Sequence, residues 1–144
     1  MLDLTTKTYE QSQSDPFQVQ LTKMQRMTKL NKQARQLAEH YADQLSGLGP
    51  IETRPLFGAV ALYRDKHVFA MVWEGSLYFK VSDASRAAYQ VAGSNALAYV
   101  AKGHEHSLKS YWKVPVDVIE DRLQLLEWAQ HAWHAALKSA KGPS

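Results

Sequence analysis

The sequence predicts an α+β domain built on an antiparallel sheet, and three observations carry that prediction. Between Arg54 and Asp83, three apolar runs rich in β-branched and aromatic residues are separated by two polar turns, Asp65-Lys66 and Glu74-Gly75. Connectors that short join antiparallel neighbours. Two other stretches, 27–46 and 122–139, repeat apolar residues at three- and four-residue steps, the pattern of amphipathic helices. The resulting order, α-βββ-α-ββ-α, sets helices before, between and after strands joined by short turns.

Taken in order, residues 1–20 are dominated by Gln, Ser and Thr and read as a mobile tail, with a short helical start around 16–25 compatible with the pattern. The first firm helix, 27–46, buries a stripe of Met27, Leu30, Ala34, Leu37, Ala38, Tyr41 and Leu45 and ends at Gly47, Gly49 and Pro50. The meander follows at 56–64, 67–73 and 76–82. Alternation assigns Leu56, Val60, Leu62, Val68, Val72, Leu77, Phe79 and Val81 to one face. It assigns Phe57, Tyr63, Phe69, Met71, Trp73, Tyr78 and Lys80 to the other. Both faces are apolar in the first two strands, so the second is covered either by the chain itself or by a partner.

Ser82 or Asp83 caps a short helix that Gly93 closes. Strands at 96–101 and 107–114 flank a loop, Lys102-Gly103-His104-Glu105-His106, and Pro115 stops the second strand. Asp121 and Gln124 fit a capping box for the last helix. Its expected core stripe is Ile119, Leu123, Leu126, Ala129, Trp133 and Leu137, with Leu125, Trp128 and Ala132 as a second patch on the far side.

Composition narrows the chemistry. The 144 residues suit one domain, 45% hydrophobic and 22% charged, with a net charge of +3. Cysteine is absent, which excludes disulfides, thiolate metal sites and cysteine nucleophiles. No apolar run reaches the ~20 residues of a membrane span, and the amino terminus lacks a signal-peptide pattern. The expected compartment is the cytoplasm, with no membrane partner.

With the meander in place, the sequence resembles the N-terminal domain of the TfoX/Sxy family, named for bacterial competence regulators. The likeness rests on Arg54 with Leu56-Phe57-Gly58, Leu62-Tyr63-Arg64-Asp65, Phe69-Ala70-Met71-Val72 and Gly75-Ser76-Leu77-Tyr78-Phe79-Lys80-Val81. Ala84-Ser85-Arg86, Ser110 to Pro115 and Leu125 to Ala129 continue it downstream. The chain has Leu56-Phe57-Gly58-Ala59 where the family often has Met-Phe-Gly-Gly. The resemblance implies a two-layer α/β sandwich like that of secretion-chaperone-type domains, and a role in regulating gene expression. The competence regulators carry a second, C-terminal domain. Here the expected organisation is a tail over 1–20, one TfoX N-terminal-like domain over 21–140 and no C-terminal TfoX domain.

Candidate sites follow from what remains. His104 and His106 flank Glu105, and His131 and His134 lie one helical turn apart, but neither pair has the three or four converging ligands zinc requires. No nucleophile elbow or phosphate-binding glycine loop is present. The expectation is a protein without enzymatic activity, cofactor or metal, a metal-dependent enzyme being the weakest alternative. Lys29, Lys32 and Arg35, continuing Lys23 and Arg26, contain no acid and could track phosphates, although three-residue spacing winds them around a helix. The favoured site is the aromatic sheet face, with Tyr63, Phe69, Met71, Trp73, Tyr78 and Tyr111 as partner-binding residues and Trp128 as a second contact; Trp112 is expected in the core. Such surfaces bind other proteins, a second copy of the chain included.

Overall fold

A computed structural model describes residues 16–56 and 58–140. The mobile tail expected before residue 16 and the family residue Phe57 lie outside the described residues. The chain divides between Gln33 and Ala34 into two units, and one helix, α1 (Pro16–Gln44), runs across the division. Its amino-terminal part presents Lys23, Arg26, Lys29 and Lys32 as exposed side chains. The side chains of Met27 and Leu30, expected on its apolar stripe, lie outside the described residues.

The second unit begins with the end of α1, where Ala34, Leu37, Ala38, Tyr41 and Leu45 enter the core. A 3-10 turn, Ser46–Leu48, leads into the sheet. Four strands follow one another as a meander: β1 (Glu52–Leu56), β2 (Ala59–Arg64), β3 (His67–Trp73) and β4 (Ser76–Lys80). Helix α2 (Asp83–Val91) separates them from the β5 (Ala96–Ala101) and β6 (His104–Lys113) hairpin, and α3 (Val116–Ile119) and α4 (Arg122–Ala140) end the described chain. All pairings are antiparallel, and the strands lie in the order β1-β2-β3-β4-β6-β5. The fold is α+β, with a six-stranded open sheet.

Local chemistry accounts for the connections. Each of the β2–β3, β3–β4 and β5–β6 hairpins turns on two residues with positive φ: Asp65 and Lys66, Glu74 and Gly75, Lys102 and Gly103. That geometry matches the right-handed twist of the flanking strands. Helix α2 starts in a reciprocal capping box, Ser82 Oγ accepting from the Ser85 N–H at 3.2 Å while the Ser82 N–H donates to Ser85 Oγ at 2.8 Å. Helix α4 starts at Asp121, whose carboxylate accepts from the N–H groups of Leu123 and Gln124 and from Gln124 Nε2.

Four placements differ from the sequence reading. The strand expected at 56–64 is two strands, folded back at Gly58, whose φ of 84° suits glycine. Pro55 interrupts the run and fits because β1 is an edge strand. This reversal moves Leu56 to the face opposite Val60.

The second difference is a β-bulge. Leu62 pairs with Ala70 and Tyr63 with Val68, which leaves Phe69 as an extra residue. Beyond it the alternation changes phase. Phe69 joins Leu62 and Ala70 against the helices, fully buried between Phe79 and Trp133, and Val68 pairs with Tyr63 on the other face.

The third lies in α4. Leu125, Ala129, Ala132, Trp133 and Ala136 are its buried face, whereas Leu123 is 79% exposed. Trp128 does not sit on a far-side patch: it is half-buried with its ring edge-on to Tyr89 of α2 at 4.7 Å. The helix is covered on two flanks, so its buried arc is wider than one stripe.

Finally, the β5–β6 turn is Lys102-Gly103 alone, so His104, Glu105 and His106 belong to β6.

Phe69→Ala removes a fully buried ring and should cost ~3–5 kcal/mol in urea unfolding. Lys66→Gly relieves a left-handed conformation and should stabilise the domain by ~1 kcal/mol in the same measurement.

Candidate interaction surface

The helices cover one face of the sheet, burying Val60, Leu62, Phe69, Val72, Leu77 and Phe79. The other face holds a separate cluster in which Met71, Tyr78, Leu97 and Tyr111 are buried and Leu56, Trp73 and Tyr99 half-buried. These residues come from β1, β3, β4, β5 and β6. Leu56 on one edge strand and Leu97 and Tyr99 on the other line one groove, although four strands lie between them in the sheet. Twist and curl therefore make this face concave. The groove has a volume of about 620 Å³, and Met71 and Trp73 of β3 line it together with Leu97, Tyr99 and Val100 of β5 and Leu108 of β6.

The concave face is partly covered by its own β5–β6 hairpin. Met71 retains 8%, Tyr78 9% and Tyr111 6% of its surface, while Trp73 and Tyr99 are only half-buried on the walls. Of the partner-binding residues singled out in the sequence, Tyr63, Met71, Trp73, Tyr78 and Tyr111 share this face. Phe69 and Trp128 do not. Leu97 and Tyr99 were missed, because their contact with β1 and β3 depends on curvature that no local pattern encodes.

Cations ring the apolar floor. Lys80 lies opposite Tyr111 in the β4–β6 register, its Nζ 5.5 Å from that ring, and Lys113 lies opposite Tyr78. The Arg54 guanidinium sits 5.4 Å from the Tyr63 ring and bonds to Glu52 at 3.3 Å. Both contacts have cation–π geometry. Burial lowers the pKa of the Lys80 ammonium and raises that of the Tyr78 phenol, the latter also under the influence of Glu74. Burial, with a smaller contribution from Tyr63, pushes Tyr111 up to about 12.

Of the residues that carry the sequence resemblance, Arg54, Tyr78 and Lys80 are all on this face. Gly58 forms the β1–β2 turn, and Arg86 bonds to Asp83 at 3.0 Å on α2. The basic residues Lys29, Lys32 and Arg35 are exposed on α1. His104 and His106 lie on β6, where His106 stacks on Tyr99 at 5.3 Å, and His131 and His134 are exposed on α4. Among the described residues, no three His, Asp or Glu side chains are grouped to hold a metal. No described helix is long and apolar enough to cross a membrane.

The Tyr111 shift sets a pH dependence. Its neutral phenol is favoured in the fold, so its contribution is full below the ordinary tyrosine value of 10.0 and is lost as pH rises from there towards about 12. Tyr111→Phe should therefore lose stability less steeply than wild type over that window, read by urea unfolding at successive pH values.

Comparison with known proteins gives a family. Residues 43–136 match the TfoX N-terminal domain, a span from the end of α1 almost to the end of α4. The chain is also 36% identical over 97 residues to Protein Sxy of Escherichia coli strain K12, covering 67% of this chain and 46% of that protein. It thus spans about half the length of that relative. The matched residues contain the whole sheet and every strand of the concave face, and on that match the chain belongs to the TfoX N-terminal domain family.

Proposed function

We propose that this chain is a non-enzymatic regulatory module, acting in the control of gene expression, that captures a protein segment along the concave face of its sheet. The observation that carries the reading is the groove itself: an aromatic and aliphatic channel on the sheet face opposite the helix-packed core, with Trp73 and Tyr99 partly exposed on its walls. Aromatic side chains in a desolvated groove are the usual anchors of protein recognition. Arg54, Lys80 and Lys113 on the same face favour a segment with apolar anchors and acidic flanks. Membership of the TfoX N-terminal domain family supports the regulatory part.

The test is transcript profiling on overproduction of wild type and of Trp73→Glu, with folding of the variant checked by circular dichroism. Wild type should change a defined set of transcripts and Trp73→Glu should not. Identical responses to both proteins would remove the groove from the function, and no response to wild type would remove the regulatory role.

A second reading has its own observation. Lys23, Arg26, Lys29, Lys32 and Arg35 are all exposed, and no acidic residue interrupts α1 before Glu39. Nucleic-acid contact through α1 would give a salt-dependent mobility shift lost in Lys29→Glu/Lys32→Glu/Arg35→Glu. Absence of a shift at low salt would end that reading.

A further inference from the structure

The two edges of the sheet are not alike. Strand β1 carries Glu52, Arg54 and Pro55, the charges and proline that ordinarily discourage another strand from pairing. Strand β5, Ala96-Leu97-Ala98-Tyr99-Val100-Ala101, carries neither charge nor proline. It pairs with β6 on one side, and among the described residues nothing pairs with its other side. Val100, β-branched and suited to a strand, is 74% exposed there.

We infer that β5 is the joint of a two-fold dimer, pairing antiparallel with β5 of a second copy to extend the sheet across both chains. The hydrogen-bond pattern of the hairpin selects the register. Because Lys102-Gly103 is a two-residue turn, Ala101 and His104 form a hydrogen-bonded pair, as do Tyr99 with His106 and Leu97 with Leu108 at alternate steps. The N–H and C=O groups of Ala98 and Val100 therefore point to the free edge; the ladder shifts register between Ala96 and Leu97, and there the Lys113 N–H donates to the Asn95 carbonyl beside the Ala96–Trp112 pair, so Ala96 also faces outward.

A two-fold axis perpendicular to the sheet keeps the concave faces of both copies on the same side. It places Ala98 against Ala98 of the second copy and Ala96 against Val100. These are the residues whose backbone groups face outward, and of the two-fold registers open to the strand this is the one that pairs all three of them with one another. Leu97 then meets Tyr99 of the second copy on the concave side, and the two grooves adjoin.

Charge agrees with the register. Continuing the pairing brings Lys102 to Ser94 of the second copy, just beyond the carboxyl end of α2. The last turn of α2 has no basic residue of its own, and its carbonyl end attracts a cation. The joint borders the groove at Leu97, Tyr99 and Val100 and leaves Trp73, on β3, outside it.

The chain has no cysteine, so one introduced at position 98 can form a disulfide only between copies or to an added thiol. Cα atoms opposite each other in a hydrogen-bonded antiparallel pair are ~5.5 Å apart, within disulfide reach. Under mild oxidation Ala98→Cys should form covalent dimer at least ~10-fold faster than Val91→Cys, a control at a highly exposed position on α2. Sedimentation of the full chain over a concentration series should show a dimer that Val100→Lys and Ala98→Pro weaken about tenfold or more. Ala98→Pro removes an outward N–H without touching the β5–β6 bonds. Trp73→Glu should leave this dimer unchanged, which separates the joint from the groove. A monomer at every concentration, a dimer indifferent to Val100→Lys, or cross-linking no faster at position 98 than at 91 would overturn the inference.

Discussion

One unpaired residue in β3 decides which side chains meet the helices. The bulge at Phe69 places two successive residues, Phe69 and Ala70, on the helix side and shifts the phase of the strand on either side of it. Before the bulge, His67 lies 5.9 Å from the Trp133 ring, so the start of β3 and Phe69 address the same indole. Arg64 of β2, paired with His67, also lies over that ring, at 4.9 Å. Without the extra residue, the largest buried side chain of β3 would point into the concave face, and Trp133 would lose its edge-on neighbour. A bulge also increases local twist, which is consistent with the curl that brings β5 across towards β1.

That curl gives the molecule two apolar compartments on opposite sides of one sheet. The helix side is closed, with Phe69, Phe79, Leu45 and Leu125 fully buried. The concave side is sealed at its floor by Met71, Tyr78 and Tyr111 but open along its walls. The second face of the meander is therefore covered by the chain at the centre and left available at Trp73 and Tyr99. Of the two ways to satisfy a doubly apolar strand, burial by the same chain and burial by another, the sheet achieves the first only in part.

Much of the fold was legible in the sequence because β2, β3 and β4 are bounded by two-residue polar turns and α4 by its Asp121 cap. What escaped has identifiable causes. Glu52-Thr53-Arg54-Pro55 reads as a connection, since charge and proline are features of an edge strand and of a loop alike. Phe69 fits the alternation that places it with Met71 and Trp73, and a bulge leaves no mark when the inserted residue is as apolar as its neighbours. Trp128 and Leu125 fall between two plausible helix stripes, and the choice depends on α2, whose Tyr89 supplies the second flank. On the concave face, Met71, Trp73 and Tyr78 were recognisable from composition. Leu97 and Tyr99 were not, because they lie on a strand beyond α2 and adjoin the others only through curvature.

Pro55 has a consequence for how large an assembly can grow. A sheet open at both ends can add subunits without limit and tends towards fibrils. This sheet is closed to growth beside Pro55, so any strand-to-strand union at the opposite end terminates as soon as it forms. An apolar, uncharged border can thus persist on this sheet without serving as a seed for polymerisation.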